Sequence, residues 1–336
     1  MYPLKFQPVF QRRLWGGQKL RTVLGRPIPG DWQRAAIGES WELADLPAGT
    51  VKGESTGAAA DGSLSSVIAN GPWAGKTLHD VLQNAESGIQ KSDGGYYPLL
   101  IKFLDAAQDL SVQVHPDEAY CRNHPGARLK SEAWYILHAE PGAKIYKGVK
   151  AGVTKEAFRA ALQTGQVAPL LNAIPVRAGD CHYLPSGTVH ALGAGLLVAE
   201  VQTPSDTTFR VFDWNRLTAD GKPRTLHVEE ALACIQFAPL AEERLTGTGA
   251  AGATRVAECA HFTIDRVETS RNVQRALAPQ MAVWIVLRGQ GVINVESHMP
   301  TAFARGDTLL LPAGMKGAMV KTVADAAWLE VNVPLK

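Results

Sequence analysis

Leu110-Ser-Val-Gln-Val-His115, Glu132-Ala-Trp-Tyr-Ile-Leu137 and Tyr183-Leu-Pro-Ser-Gly-Thr-Val-His190 are the stretches on which the reading of this chain turns. The first reads as a strand, whose period of two sends Gln113 and His115 to one face. Glu132 opens a second strand-like run. In the third, a Pro–Gly turn presents His190 where a strand begins. Two imidazoles, one carboxylate and one amide oxygen suit a borderline divalent metal that keeps room for water or substrate oxygens. That is the inventory of a catalytic site rather than a closed structural one.

Working outward, β signals dominate. Runs rich in Val, Ile, Trp and Tyr recur between Pro–Gly punctuation, as around Glu140-Pro-Gly-Ala143, where a type II turn is expected. Leu196-Leu-Val-Ala-Glu-Val201 adds another strand. Helical patterning is confined to pieces such as Thr77–Asn84, Thr154–Leu171 and His227–Ile235. Residues 53–66 read as a loop, and the small, uncharged run Thr246–Thr254 as a linker between two β-rich regions. The domain reading is therefore 1–245, linker 246–254, and 255–336.

An internal echo supports that division. Trp134-Tyr-Ile-Leu137 matches Trp284-Ile-Val-Leu287. Ala178-Gly-Asp180 with Tyr183-Leu-Pro-Ser-Gly187 matches Arg305-Gly-Asp307 with Leu310-Leu-Pro-Ala-Gly314. Two copies of one β unit is the simplest account. In register Glu132 meets Ala282 and His190 meets Gly317, so the second copy keeps the turns and loses the ligands. One metal site is expected, in the first copy, with the second as scaffold or site wall.

The composition sets bounds. A chain of 336 residues with 46% hydrophobic and 20% charged content is that of an ordinary globular protein of about two domains. A formal net charge of +2 gives no case for nucleic acid or an acidic membrane surface. No apolar run reaches the length of a membrane span, and the start lacks an apolar signal core. The scattered Cys121, Cys181, Cys234 and Cys259 read as reduced thiols of a cytoplasmic protein.

These residues resemble the cupin superfamily, whose small β-barrels carry metal ligands on two short motifs. More narrowly, the chain is similar to the type I mannose-6-phosphate isomerases of the short bacterial kind. The resemblance rests on Ser111-Val-Gln-Val-His-Pro-Asp117, Lys130-Ser-Glu-Ala-Trp-Tyr-Ile-Leu137, and Ala178-Gly-Asp180 with Pro185-Ser-Gly-Thr-Val-His-Ala-Leu192. It continues through Glu200–Asp213, with Leu14-Trp-Gly-Gly17 and Ile37-Gly-Glu-Ser-Trp-Glu-Leu43 in support. It implies a mainly β chain with two cupin-like β-barrels of jelly-roll type and a few inserted helices. It further implies one zinc ion on Gln113, His115, Glu132 and His190, and a small sugar phosphate as substrate. A monomer is the favoured state.

An aldose–ketose interconversion passes through a cis-enediol(ate), so negative charge develops on oxygen. By the resemblance Arg210 stabilises that charge and Asp206 helps ring opening; Lys102 and Ser111 are the matching phosphate positions. Lys130, two before Glu132 and on the same face if that strand extends so far, is a candidate proton shuttle, because a neighbouring dication depresses a lysine's pKa. A lone Lys102 in an apolar strand is expensive to bury without a partner. Leu14-Trp-Gly-Gly17 is not expected to be a phosphate cradle, for want of a flanking strand and helix. Blander readings stand beside these: a single histidine is more often packed than ligating, and Arg210 could be a structural ion pair with Asp213. Trp41, Trp134 and Trp284 are expected in the core, while Trp15 and Trp73 are left between core and cleft wall. Another metal-dependent cupin, such as an iron oxygenase or the isomerase of a different sugar, and a non-catalytic sugar-binding cupin are the rival functions.

Overall fold

The computed structural model describes residues 1–51, 55–218, 221–240 and 252–334. Its strands form two paired-sheet units. In the first, a six-stranded sheet runs in the order Cys181–Leu184, Glu132–Ala139, Leu196–Gln202, Leu100–Ala106, Ile37–Leu43, Val9–Gly17. Its companion has five strands: Leu171–Pro175, Lys144–Val149, His190–Leu192, Val112–Val114, Phe209–Phe212. The second unit repeats the plan with a six-stranded sheet (Leu4–Lys5, Thr308–Leu311, Ala282–Arg288, Ala326–Asn332, Thr263–Thr269, Ala253–Glu258) and a four-stranded one.

Side-chain alternation sorts these sheets into layers. Leu104, Trp134, Ile136 and Val198 point into the first unit, toward Ile145 and Leu192 of the five-stranded sheet. Their strand neighbours Phe103, Ala133, Tyr135 and Ala199 point the other way, against Ile264, Val283, Ile285 and Leu329 of the second unit. Trp284, Val286 and Trp328 then close the second unit against Ile293, Phe303 and Val320. Both six-stranded sheets are thus covered on both faces, which is why their strands read as near-continuous apolar runs.

The β reading and the two-copy plan hold, with differences in detail. No closed barrel is present among the described residues; each unit is an open pair of sheets. The proposed division at 246–254 is crossed by the N-terminal strand Leu4–Lys5, which pairs with Thr308–Leu311 of the second unit. The core shared between the six-stranded sheets also crosses it, because each needs the other to cover its outer face. Most of the linker lies outside the described residues, and Ala253 and Thr254 already belong to a strand. The expected helix over 154–171 ends at Thr164, where Gly165 takes φ +69° and closes it; Leu171 begins a strand. Both Pro–Gly turns form, with Gly142 at φ +81° and Gly187 at φ +85°, values that a side chain rarely tolerates. No helix among the described residues is long and apolar enough to cross a membrane.

Candidate metal centre

His190 opens its strand beside Gln113 in the five-stranded sheet, and Arg210 flanks Gln113 on the other side. His115 follows the same strand by one residue and is held by Gly187 N–H donating to its carbonyl at 2.9 Å. Glu132 comes from the opposite sheet, at the first position of its strand. Sheet pairing therefore brings together residues far apart in sequence, Gln113 and His190 being separated by 77.

The geometry at their meeting point is that of a cation site. His190 Nε2 lies 3.2 Å from Glu132 Oε1, and His115 Nε2 lies 3.4 Å from Glu132 Oε2. Each ring's other nitrogen faces a backbone carbonyl, Thr207 O at 3.0 Å for His115 Nδ1 and Thr188 O at 2.8 Å for His190 Nδ1. A carbonyl only accepts, so both Nδ1 atoms carry the proton and both Nε2 lone pairs turn inward. Burial, together with the nearby Lys130 charge, pushes the His115 imidazole down to about 3 despite Glu132, so it stays neutral. Lone pairs then face carboxylate oxygens with no proton between them. His115 Nε2 and Glu132 Oε1 have no hydrogen-bond partner although both are buried. Such an arrangement is repulsive until a cation occupies its centre, and the donor set fits a borderline divalent ion. Gln113 Nε2 sits 3.3 Å from His190 Nε2; a half-turn of the terminal amide exchanges its nitrogen for the oxygen a cation prefers.

A cleft of about 590 Å³ adjoins these side chains, with Gln113 and Lys130 in its lining. Lys130 precedes the Glu132 strand, and its Nζ lies 2.9 Å from Glu132 Oε2. Burial opposes its charge, but Glu132, Glu200 and Asp206 outweigh it and raise Lys130 above its ordinary value, against the lowering that a neighbouring dication brings. Lys102 has its partners: Glu39 at 3.6 Å, Asp206 at 4.0 Å, and the Trp41 ring 4.3 Å away. Arg210 donates to Ser111 Oγ (3.3 Å) and Thr225 O (3.0 Å). The Arg210–Asp213 ion pair does not form, since Arg224 and Arg216 hold Asp213 at 2.5 and 2.6 Å. Burial, and then repulsion from Arg224, lower Arg210 to about 10, so it remains charged near neutrality. The loop bearing Asp206 is tied down by Ser205 Oγ on Arg128 O and by Gln202 Nε2 on Ser205 O.

Glu200 is the cleft residue the sequence reading passed over. It is 3% exposed, accepts from Trp134 Nε1 at 2.9 Å, and is pushed up by burial and by the Glu132 charge. The signal was there: an acid in the apolar run Leu196–Val201 with nothing nearby in sequence to pair it. Trp15 lines the cleft, whereas Trp73 packs on Tyr2 away from it. Leu14-Trp-Gly-Gly17 is itself the end of a strand, Val9–Gly17, with a short helix, Lys19–Thr22, after it. It is no phosphate cradle because the Asp105 carboxylate already accepts the N–H groups of Lys19 and Leu20.

Comparison with known proteins gives the family. Residues 3–140 match the family model of the phosphomannose isomerase type I catalytic domain. A mannose-6-phosphate isomerase of Streptococcus mutans is 35% identical over 94% of this chain and 93% of its own length. The crystal structure of the Bacillus subtilis mannose 6-phosphate isomerase superposes with a TM-score of 0.83 at 29% identity, covering 99% of this chain and 100% of that one. A mannose 6-phosphate isomerase solved with zinc and yttrium shares the fold, with a TM-score of 0.71 at 17% identity over 100% of both chains. The chain belongs to the type I phosphomannose isomerases.

Proposed function

We propose that this protein interconverts D-mannose 6-phosphate and D-fructose 6-phosphate through a cis-enediol(ate), with one zinc ion per chain. The observation that carries the reading is the convergence of His115, Glu132 and His190 under a cleft whose wall holds a charged, carboxylate-free Arg210. Gln113, His115, Glu132 and His190 would hold the ion. When bound, it supplies Lewis acidity to sugar oxygens and orients them. The zinc-bound relative of the same fold supports that choice of metal.

The protein's own groups divide the remaining work. Arg210 faces the cleft with its guanidinium fixed by Ser111 and Thr225, ready for negative charge on a substrate oxygen without reorganising. Lys130 carries a proton at the floor, 2.9 Å from Glu132. Asp206, on its braced loop, is the group assigned to ring opening. Ser111 and Lys102 take the phosphate, the Ser111 hydroxyl coupling that end of the substrate to Arg210.

The test is conversion of mannose 6-phosphate by the purified protein, before and after chelation, with zinc added back. Activity that vanishes with the chelator and returns with zinc is the expected result. A folded, zinc-loaded sample with no conversion would refute the assignment.

A further inference from the structure

The second unit keeps more of the first than its turns. Across the first six-stranded sheet Trp134 pairs with Glu200, Glu200 with Lys102, and Lys102 with Trp41. The same path across the second sheet reads Trp284, Glu330, Asp265, Arg255. Trp284 Nε1 donates to Glu330 Oε2 at 3.0 Å, repeating the 2.9 Å bond of Trp134 to Glu200. Around this path lies a cavity of about 550 Å³, close to the 590 Å³ of the catalytic cleft and at the equivalent end of its sheet. Gln280 stands where Lys130 does, and Ala282 where Glu132 does.

The chemistry of its walls differs. Arg13, Lys102, Lys130, Arg210 and Arg224 line the catalytic cleft beside the carboxyl groups of Glu39, Glu200, Asp206 and Glu230, and Arg210, bonded to Ser111 and Thr225, is left for an anion. The second cavity has one guanidinium, Arg255, against the carboxylates of Asp265 and Glu330. Arg255 is neutralised by Asp265 at 2.6 Å and Glu258 at 2.8 Å, so no cation is left for a phosphate. These paired groups, with the amides of Gln280 and Asn332, offer fixed donors and acceptors; Leu277 and Met281 offer apolar surface between them. Fixed polar groups interleaved with apolar ones match a ligand with hydroxyls along a carbon backbone.

We propose that this cavity is a second binding site, for an uncharged sugar or polyol, formed where the catalytic cleft's copy has lost its metal ligands. The probe is D-mannitol, titrated calorimetrically into the zinc-loaded protein. Binding is expected that Arg210→Ala leaves unchanged and that Asp265→Ala and Ala278→Trp each weaken at least about tenfold. Isomerase turnover should be untouched in both cavity variants. Asp265 is buried and its loss frees Arg255, so Ala278→Trp, at the exposed rim, closes the cavity without disturbing that pair. No binding by the native protein up to about 50 mM overturns the inference. So does binding that follows Arg210→Ala and ignores both cavity variants, which would locate mannitol in the catalytic cleft.

Discussion

The two β units carry the same tryptophan–glutamate pair across the same two strands, and their surroundings send it to different ends. In the first, Glu200 lines a cleft with Gln113 and Lys130, beside Glu132 and the two imidazoles turned toward it. In the second, Ala282 occupies the ligand position and Asp265 the place of Lys102, where it pairs with Arg255, so no set of metal donors converges there. A sheet scaffold therefore does not specify the site. Three side chains arriving from two sheets do, and the rest of the register can be repeated without it.

The sharpest way to break the comparison is to make the first unit like the second. His190→Ala should abolish zinc retention and lower turnover by at least about a thousandfold, measured by metal analysis beside the isomerase assay. Arg210→Ala should lower turnover by about 10²–10³, with zinc content near that of the native protein. If zinc were lost in parallel, Arg210 would be a structural residue rather than a catalytic one.

The reverse change is just as informative. Ala282→Glu puts a buried carboxylate into the second unit with no imidazole to share a cation. It should destabilise the fold by about 3 kcal/mol in chemical denaturation and recruit no second zinc. Metal at two equivalents per chain would mean that a carboxylate alone is enough.

Phenylalanine in place of either tryptophan tests the shared pair, since each loses one indole hydrogen bond to its glutamate. Both should cost about 1–2 kcal/mol of stability, and only Trp134→Phe should also slow turnover. The seam between the units gives the smallest effect. Burial pushes the Glu42 carboxyl above its ordinary 4.5, only partly offset by Arg26. A raised carboxyl binds its proton more tightly folded than unfolded, so Glu42 takes away stability as pH rises above 4.5. Glu42→Gln, which cannot titrate, should gain on the native protein between pH 4 and pH 7; a stability difference that stays flat would contradict that sign.

Much of this was legible in the chain. Alternation placed Gln113, Glu132 and His190 on strands, and the failure of the echo at Ala282 and Gly317 pointed to the first copy, where His115, Glu132 and His190 form the candidate metal group found among the described residues. Lys102, unpaired in sequence, announced that it needed a partner. What stayed hidden was identity of partners across strands: that Lys102 meets Glu39, that Asp213 goes to Arg216 and Arg224, and that Glu200 is a cleft wall. Leu14-Trp-Gly-Gly17 is no phosphate cradle, as expected, but for a reason outside its own segment: the helix that follows it is capped by Asp105, far along the chain.

The sequence by itself determined the strand periodicity, the turns at Gly142 and Gly187, and the donor types available for a metal, because these depend on local backbone preference and side-chain chemistry. Only the tertiary structure decided which donors converge, which guanidinium is left without a carboxylate, and that the two units share one core. Those outcomes are set by sheet register and by burial on both faces of the central sheets, and neither is a property of any single segment.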